Sequence, residues 1–246
     1  MARLGPATGR PGACEYLCVS TRLRRDLDPK TVAQRLEHLD PFWAPQLLVA
    51  ATILLDLSLT EKVTVGARWL IPGLEGVALV ALITASPHPR LRHSPLRRHL
   101  ALALIGLVSA ANTASLVLVC RELILGGATN QGRALIGSGM VLWVTNVLLF
   151  AVWYWQLDRG GPLARARGEA DVPDFLFVQM TQPDYAPPGW EPGVIDYLYT
   201  SFTNATAFSP TDTMPLTPTA KILMTLQSLT ALVTVGLVVA RAVNVL

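Results

Sequence analysis

Asp56 and Glu75 stand inside apolar stretches, where a carboxylate has few uses. An ionised side chain at the bilayer centre costs about 2.5–3.5 kcal/mol on insertion scales, so each needs a partner, a proton or a wet cavity. The turn between their stretches, Thr60 to Val65, is short enough to force an antiparallel hairpin that brings both carboxyls to comparable depths. Two facing carboxylates can share a proton or hold a cation. The structural alternative is neutralisation: Arg68 lies two turns before Glu75 on a similar helical face, and its long side chain reaches that carboxyl without any transport role. Arg241, near the C-terminal end of the last apolar stretch, either snorkels to the interface or meets a buried carboxylate.

A second constellation is the turn Thr206-Ala207-Phe208-Ser209-Pro210-Thr211-Asp212. Before it, Asp196 to Thr206 reads as a short helix with aromatic contacts. After it, Thr217 followed by Pro218 is a strong helix start, with Thr as N-cap and Pro at the first helical position. The final helix then runs apolar almost to Leu246, with Gln227 inside it. A membrane-dipping helix, a polar turn and a long spanning helix form one unit, 193–246.

Composition fixes what must position these groups. Hydrophobic residues make up 51% of the chain and charged residues 15%, with a positive mean hydropathy, the profile of a multi-pass membrane protein. Stretches near the roughly 20 residues needed to cross the hydrocarbon core occur at 43–60, 66–85, 99–121, 134–157 and 218–246. The expected fold is all-α: a polytopic membrane helical bundle of about five transmembrane helices, with a re-entrant pore-helix-like segment before the last. Its parts are a cytoplasmic tail (1–40), disordered and then amphipathic; a four-helix transmembrane region (41–158); a proline-rich connector (159–192) with solvated acidic residues Asp171, Asp174 and Asp184; and the channel-like unit.

Arg90, Arg92, Arg97 and Arg98 crowd one short loop, which places it in the cytoplasm. Arg159, Arg165 and Arg167 after the fourth span and the basic N-terminal tail agree, giving a cytoplasmic N-terminus and an outside C-terminus. Anionic headgroups attract each such arginine by about 1 kcal/mol, so the loop grips acidic lipid, and no nucleic-acid partner is expected. In the third span Gly106, Ala110 and Ala114 recur every four residues among Ser109, Asn112, Thr113 and Ser115, the marks of a close helix interface that Thr145 and Asn146 could hydrogen-bond across. Trp143, Trp153, Tyr154 and Trp155 read as an interfacial aromatic belt.

Other chemistry is sparse. His88, His93 and His99 are interleaved with prolines and surrounded by arginines that repel a cation, and Cys14, Cys18 and Cys120 form neither a disulfide framework nor a metal set. No metal or cofactor is expected. There is no H-E-x-x-H, no G-x-S-x-G and no phosphate-cradling glycine loop, which argues against an enzyme.

The segment from Asp196 onward resembles the pore helix, filter and inner helix of two-pass potassium channels. Asp196-Tyr197-Leu198-Tyr199-Thr200-Ser201-Phe202 precedes the turn, Asp212 matches the Asp after the filter, and Met214-Pro215 with Thr217-Pro218 looks like the inner-helix start. Ser209, Pro210 and Thr211 occupy the Gly-Tyr-Gly positions, so the resemblance implies an architecture and not potassium selectivity. Over its whole length the chain resembles uncharacterised bacterial multi-pass proteins with the same ending, which implies the inner (plasma) membrane. Arginine counting puts the pore-like unit on the cytoplasmic side, opposite to the filter of those channels. Two functions stay open: ion or small-solute transport through this degenerate module, as a homo-oligomer, or a non-conducting membrane scaffold or accessory subunit.

Overall fold

The computed structural model describes residues 43–58, 73, 76, 79–80, 95–125, 132–167, 172–207 and 212–245. They are mostly helical. The elements are α1 (Trp43–Leu57), α2 (Pro95–Leu125), α3 (Gly132–Leu157), α4 (Pro162–Arg167), β1 (Phe175–Leu176), α5 (Val178–Thr181), α6 (Val194–Ala207), β2 (Met214–Pro215) and α7 (Pro218–Val245). Three segments, Leu102–Arg121, Ile136–Gly160 and Pro218–Val243, are long and apolar enough to cross a membrane, and Pro45–Leu57 is apolar but shorter. These helices agree with a membrane protein. Gly73, Gly76, Leu79 and Val80 are helical; the rest of the stretch at 66–85 and the tail at 1–40 lie outside the described residues.

Helix α3 is the hub, packed against α1, α2, α6 and α7. A central helix needs apolar or satisfied residues around most of its circumference, and α3 has them: Leu142, Val147, Leu149, Ala151, Val152, Tyr154 and Trp155 are all buried. Helix α2 runs antiparallel to it, because Leu104, Ile105 and Val108 pack with Leu149 and Val152 while Leu116 and Val119 pack with Leu142. The buried seam of α2 follows Leu104, Val108, Ala111, Asn112, Ser115 and Val119. The small-residue row expected to make this contact does not: Ala110 is exposed, and a Cβ at Gly106 would touch nothing. Bulk on the apolar seam, not close backbone approach, decides this contact.

At the C-terminal end of α3 the chain turns through Arg159, Gly160 and Gly161, whose φ angles are 50°, 74° and 95°. Glycine relieves the Cβ clash of this left-handed region at two of the three positions, and a Cβ on Gly161 would sit 2.8 Å from the Gln156 carbonyl oxygen. The turn folds 162–167 and 172–193 back as a cap over the end of the helix. Within it β1 pairs antiparallel with β2, Phe175 opposite Pro215 and Leu176 opposite Met214.

Helices α6 and α7 both run antiparallel to α3 and therefore parallel to each other. Tyr197 meets Asp158 at the C-terminal end of α3, Ser201 meets Val147 near its middle, and Phe202 meets Trp143. Likewise Gln227 meets Tyr154, and Val238 lies against Gly139. Two consecutive helices can be parallel only if the chain between them doubles back. It does so between Ala207 and Thr213, since Thr213 already lies beside Thr200, 3.1 Å between hydroxyl oxygens. At ~1.5 Å per residue α6 is about 21 Å long, roughly half the ~39 Å of α3.

Candidate functional site

The unit 193–246 is locked to α3 by buried polar groups that satisfy one another. Gln227 Oε1 accepts hydrogen bonds from the Tyr154 hydroxyl at 2.5 Å and from Asn204 Nδ2 at 2.8 Å. Gln227 Nε2 donates to the Ser201 carbonyl and hydroxyl at 2.9 and 2.6 Å, and that hydroxyl donates to the Val147 carbonyl at 2.7 Å. Asn204 Nδ2 also donates to the Met224 carbonyl at 3.0 Å, and Ser228 donates to Asn204 Oδ1 at 3.1 Å. Where water is scarce an unmet amide costs more than anywhere else, so the closed set fixes the register of three helices.

A second set holds the cap. Asp158 is fully buried; its Oδ1 accepts from the Asp174 and Phe175 backbone N–H groups at 2.8 and 3.3 Å, and its Oδ2 from the Tyr197 hydroxyl at 2.6 Å. Arg165 donates to the carbonyls of Trp155 and Asp158 at 2.7 and 2.9 Å and lies over the Trp155 and Tyr197 rings. Asp174 accepts from the Arg159 N–H at 2.9 Å and the Thr217 hydroxyl at 2.5 Å. Thr217 in turn caps α7, accepting from the Ala220 N–H at 3.3 Å, as the Thr-Pro signal requires. Asp174, expected in solvent, is thus a structural ligand of the cap, and Arg159 and Arg165 are anchored in protein. Asp184 is exposed, and Asp171 lies outside the described residues.

The aromatic residues at the end of α3 divide. Tyr154 and Trp155 are core residues, packed with Phe175, Phe177 and Tyr197, and so are no interfacial belt. The Tyr154–Phe175 and Phe177–Tyr197 ring centroids are 4.9 and 5.5 Å apart. Trp153 donates to the Ser109 hydroxyl at 3.0 Å, bridging α3 and α2. Thr145 Oγ1 and Asn146 Nδ2, by contrast, have no hydrogen-bond partner among the described residues.

Of the pore-like turn, Thr206 is exposed and bonds back to the Phe202 carbonyl at 2.9 Å, and Ala207 ends α6. Phe208, Ser209, Pro210 and Thr211 lie outside the described residues. Asp212 is exposed and accepts from the Tyr199 hydroxyl at 3.1 Å, so it sits level with the first half of α6. Asp196, in the first turn of α6, accepts from the Gly193 N–H at 2.8 Å. Partial burial raises its pKa above the ordinary value, and that bond opposes the rise.

Asp56 lies on the buried face of α1, and among the described residues its Oδ1 has no hydrogen-bond partner. Glu75, Arg68, Arg90 and Arg92 lie outside the described residues. Arg97 and Arg98 fall in the first turn of α2, at the end of the bundle that also carries the cap. Arg241 lies near the far end of α7, half-buried, and among the described residues it makes no ion pair with a carboxylate. No cluster of three or more His, Cys, Asp or Glu occurs among the described residues.

Sequence reasoning missed the two polar sets, although Gln227 and Asn204 in apolar helices were the signal for the first. Compared with known proteins, the chain matches no family model, no curated protein and no solved structure.

Proposed function

We propose that this chain is an inner-membrane protein of about five spans whose final unit is a re-entrant hairpin, α6 entering the membrane and the turn returning to the same side before α7 crosses. One observation carries the reading: α6 and α7 are parallel, and the chain regains the level of Thr200 within a few residues of the end of α6. A fully crossing α6 would leave α7 antiparallel to it. In this reading the turn Thr206–Asp212 of several copies lines a passage for a small cation or polar solute, with carbonyls and the Asp212 carboxylates as its polar groups. The N-terminus and the Arg-rich loop are cytoplasmic and rest on anionic lipid.

The second reading, a non-conducting scaffold, is favoured by a different observation. The polar groups between α6, α7 and α3 satisfy one another, which leaves them nothing to offer a permeating ion. Flux into liposomes separates the two. The conducting reading requires potassium, sodium or proton entry above empty liposomes, reduced severalfold by Asp212→Ala in a folded protein. No flux for any of them leaves the scaffold.

A further inference from the structure

Inside the bundle, four buried polar side chains carry atoms that no group among the described residues satisfies: Asp56 Oδ1, Asn112 Oδ1, Thr145 Oγ1 and Asn146 Nδ2. Each residue is more than nine-tenths buried, at 7, 4, 0 and 1% exposure. Packing brings them to one level. Ile53, Val108 and Leu149 meet in a single cluster where α1, α2 and α3 converge. Leu48, earlier on α1, also reaches the cluster at the C-terminal end of α3, so α1 descends from that end as α2 does. One helical turn beyond the shared cluster, in the same direction on all three helices, stand Asp56, Asn112 and the pair Thr145–Asn146.

The thirdmost telling member is Thr145. Threonines in apolar helices usually return the hydroxyl to their own backbone, and Thr113, Thr225, Thr230 and Thr234 do so here, each to the carbonyl four residues earlier. Thr145 does not. Three unpaired oxygens, one of them a carboxylate, are hard donors suited to an alkali cation, and rotation of the Asn146 amide adds a fourth. One carboxylate with one monovalent ion is neutral overall, whereas a divalent ion would leave net charge in the apolar interior.

We propose that Asp56, Asn112, Thr145 and Asn146 form an intramembrane binding site for a monovalent alkali cation, sodium in the first instance, separate from the α6–α7 turn and independent of whether that turn conducts. The test uses the full chain in nanodiscs, with sodium chloride against choline chloride at matched ionic strength, read by radioactive sodium binding and by thermal unfolding. The expected result is saturable binding and a sodium-dependent rise in the unfolding midpoint. Asp56→Asn weakens binding at least tenfold and abolishes the rise, and Thr145→Val, which keeps the shape of the side chain, weakens binding severalfold. Should Asp56→Asn fail to fold, Thr145→Val and Asn112→Ser decide the matter alone. The proposal is overturned if the folded parent shows no saturable sodium binding, or if the folded variants bind sodium as the parent does.

Discussion

At the residue scale the stability of the molecule rests on buried amides and hydroxyls used in pairs. Replacing Gln227 with Leu removes the acceptor of Tyr154 and Asn204 and the donor to Ser201, leaving polar groups stranded between helices. A stranded buried group costs about 1–3 kcal/mol, and the expectation for Gln227→Leu is a loss of that order in reversible detergent unfolding. In a double-mutant cycle with Asn204→Ala, a coupling of roughly 0.6–2 kcal/mol should appear, the range for interhelical bonds in membranes. Gln227 and Asn204 were visible in the sequence as polar interruptions of apolar helices, but their partnership was not, because residues 23 apart meet only through the doubling back of the chain. Asp174 was read as solvated for a related reason: its partner Thr217 arrives from a later element.

At the element scale, local signals were legible and helix faces were not. Thr217-Pro218 announced the start of α7 and the long apolar runs announced α2 and α3, since propensity, capping and hydropathy act within a turn or two of each residue. The contact face of α2 was misread, because a small-residue repeat marks a close contact only when a partner approaches it. The close approach lies instead between α3 and α7, where a Cβ on Gly139 would fall 2.4 Å from Val238 Cγ2. Gly139→Ala should therefore destabilise by about 1–3 kcal/mol, the usual cost of overpacking. Adding Val238→Ala should recover most of that loss, and two ordinary destabilising changes that merely add would rule out this crossing.

At the scale of the whole molecule, the cap, the first turn of α2, the start of α6 and the start of α7 all gather at one end of the bundle, and α7 ends at the other. The start of α6 therefore lies at the end of the bundle where Arg97 and Arg98 stand in the first turn of α2. Among the described residues, helix α7 buries the stripe Ala220, Met224, Gln227, Ala231 and Thr234 and leaves Ile222, Leu226, Leu229, Leu232 and Val233 exposed. The central claim is that α6 enters the membrane and does not cross it. The most direct measurement is labelling by a membrane-impermeant thiol reagent of single cysteines placed at the exposed positions Ile195, Met214 and Val243, in a chain with Cys14, Cys18 and Cys120 replaced by Ser. The account predicts that Ile195→Cys and Met214→Cys are labelled from the same side and Val243→Cys from the other. Labelling of Ile195→Cys and Met214→Cys from opposite sides would contradict it.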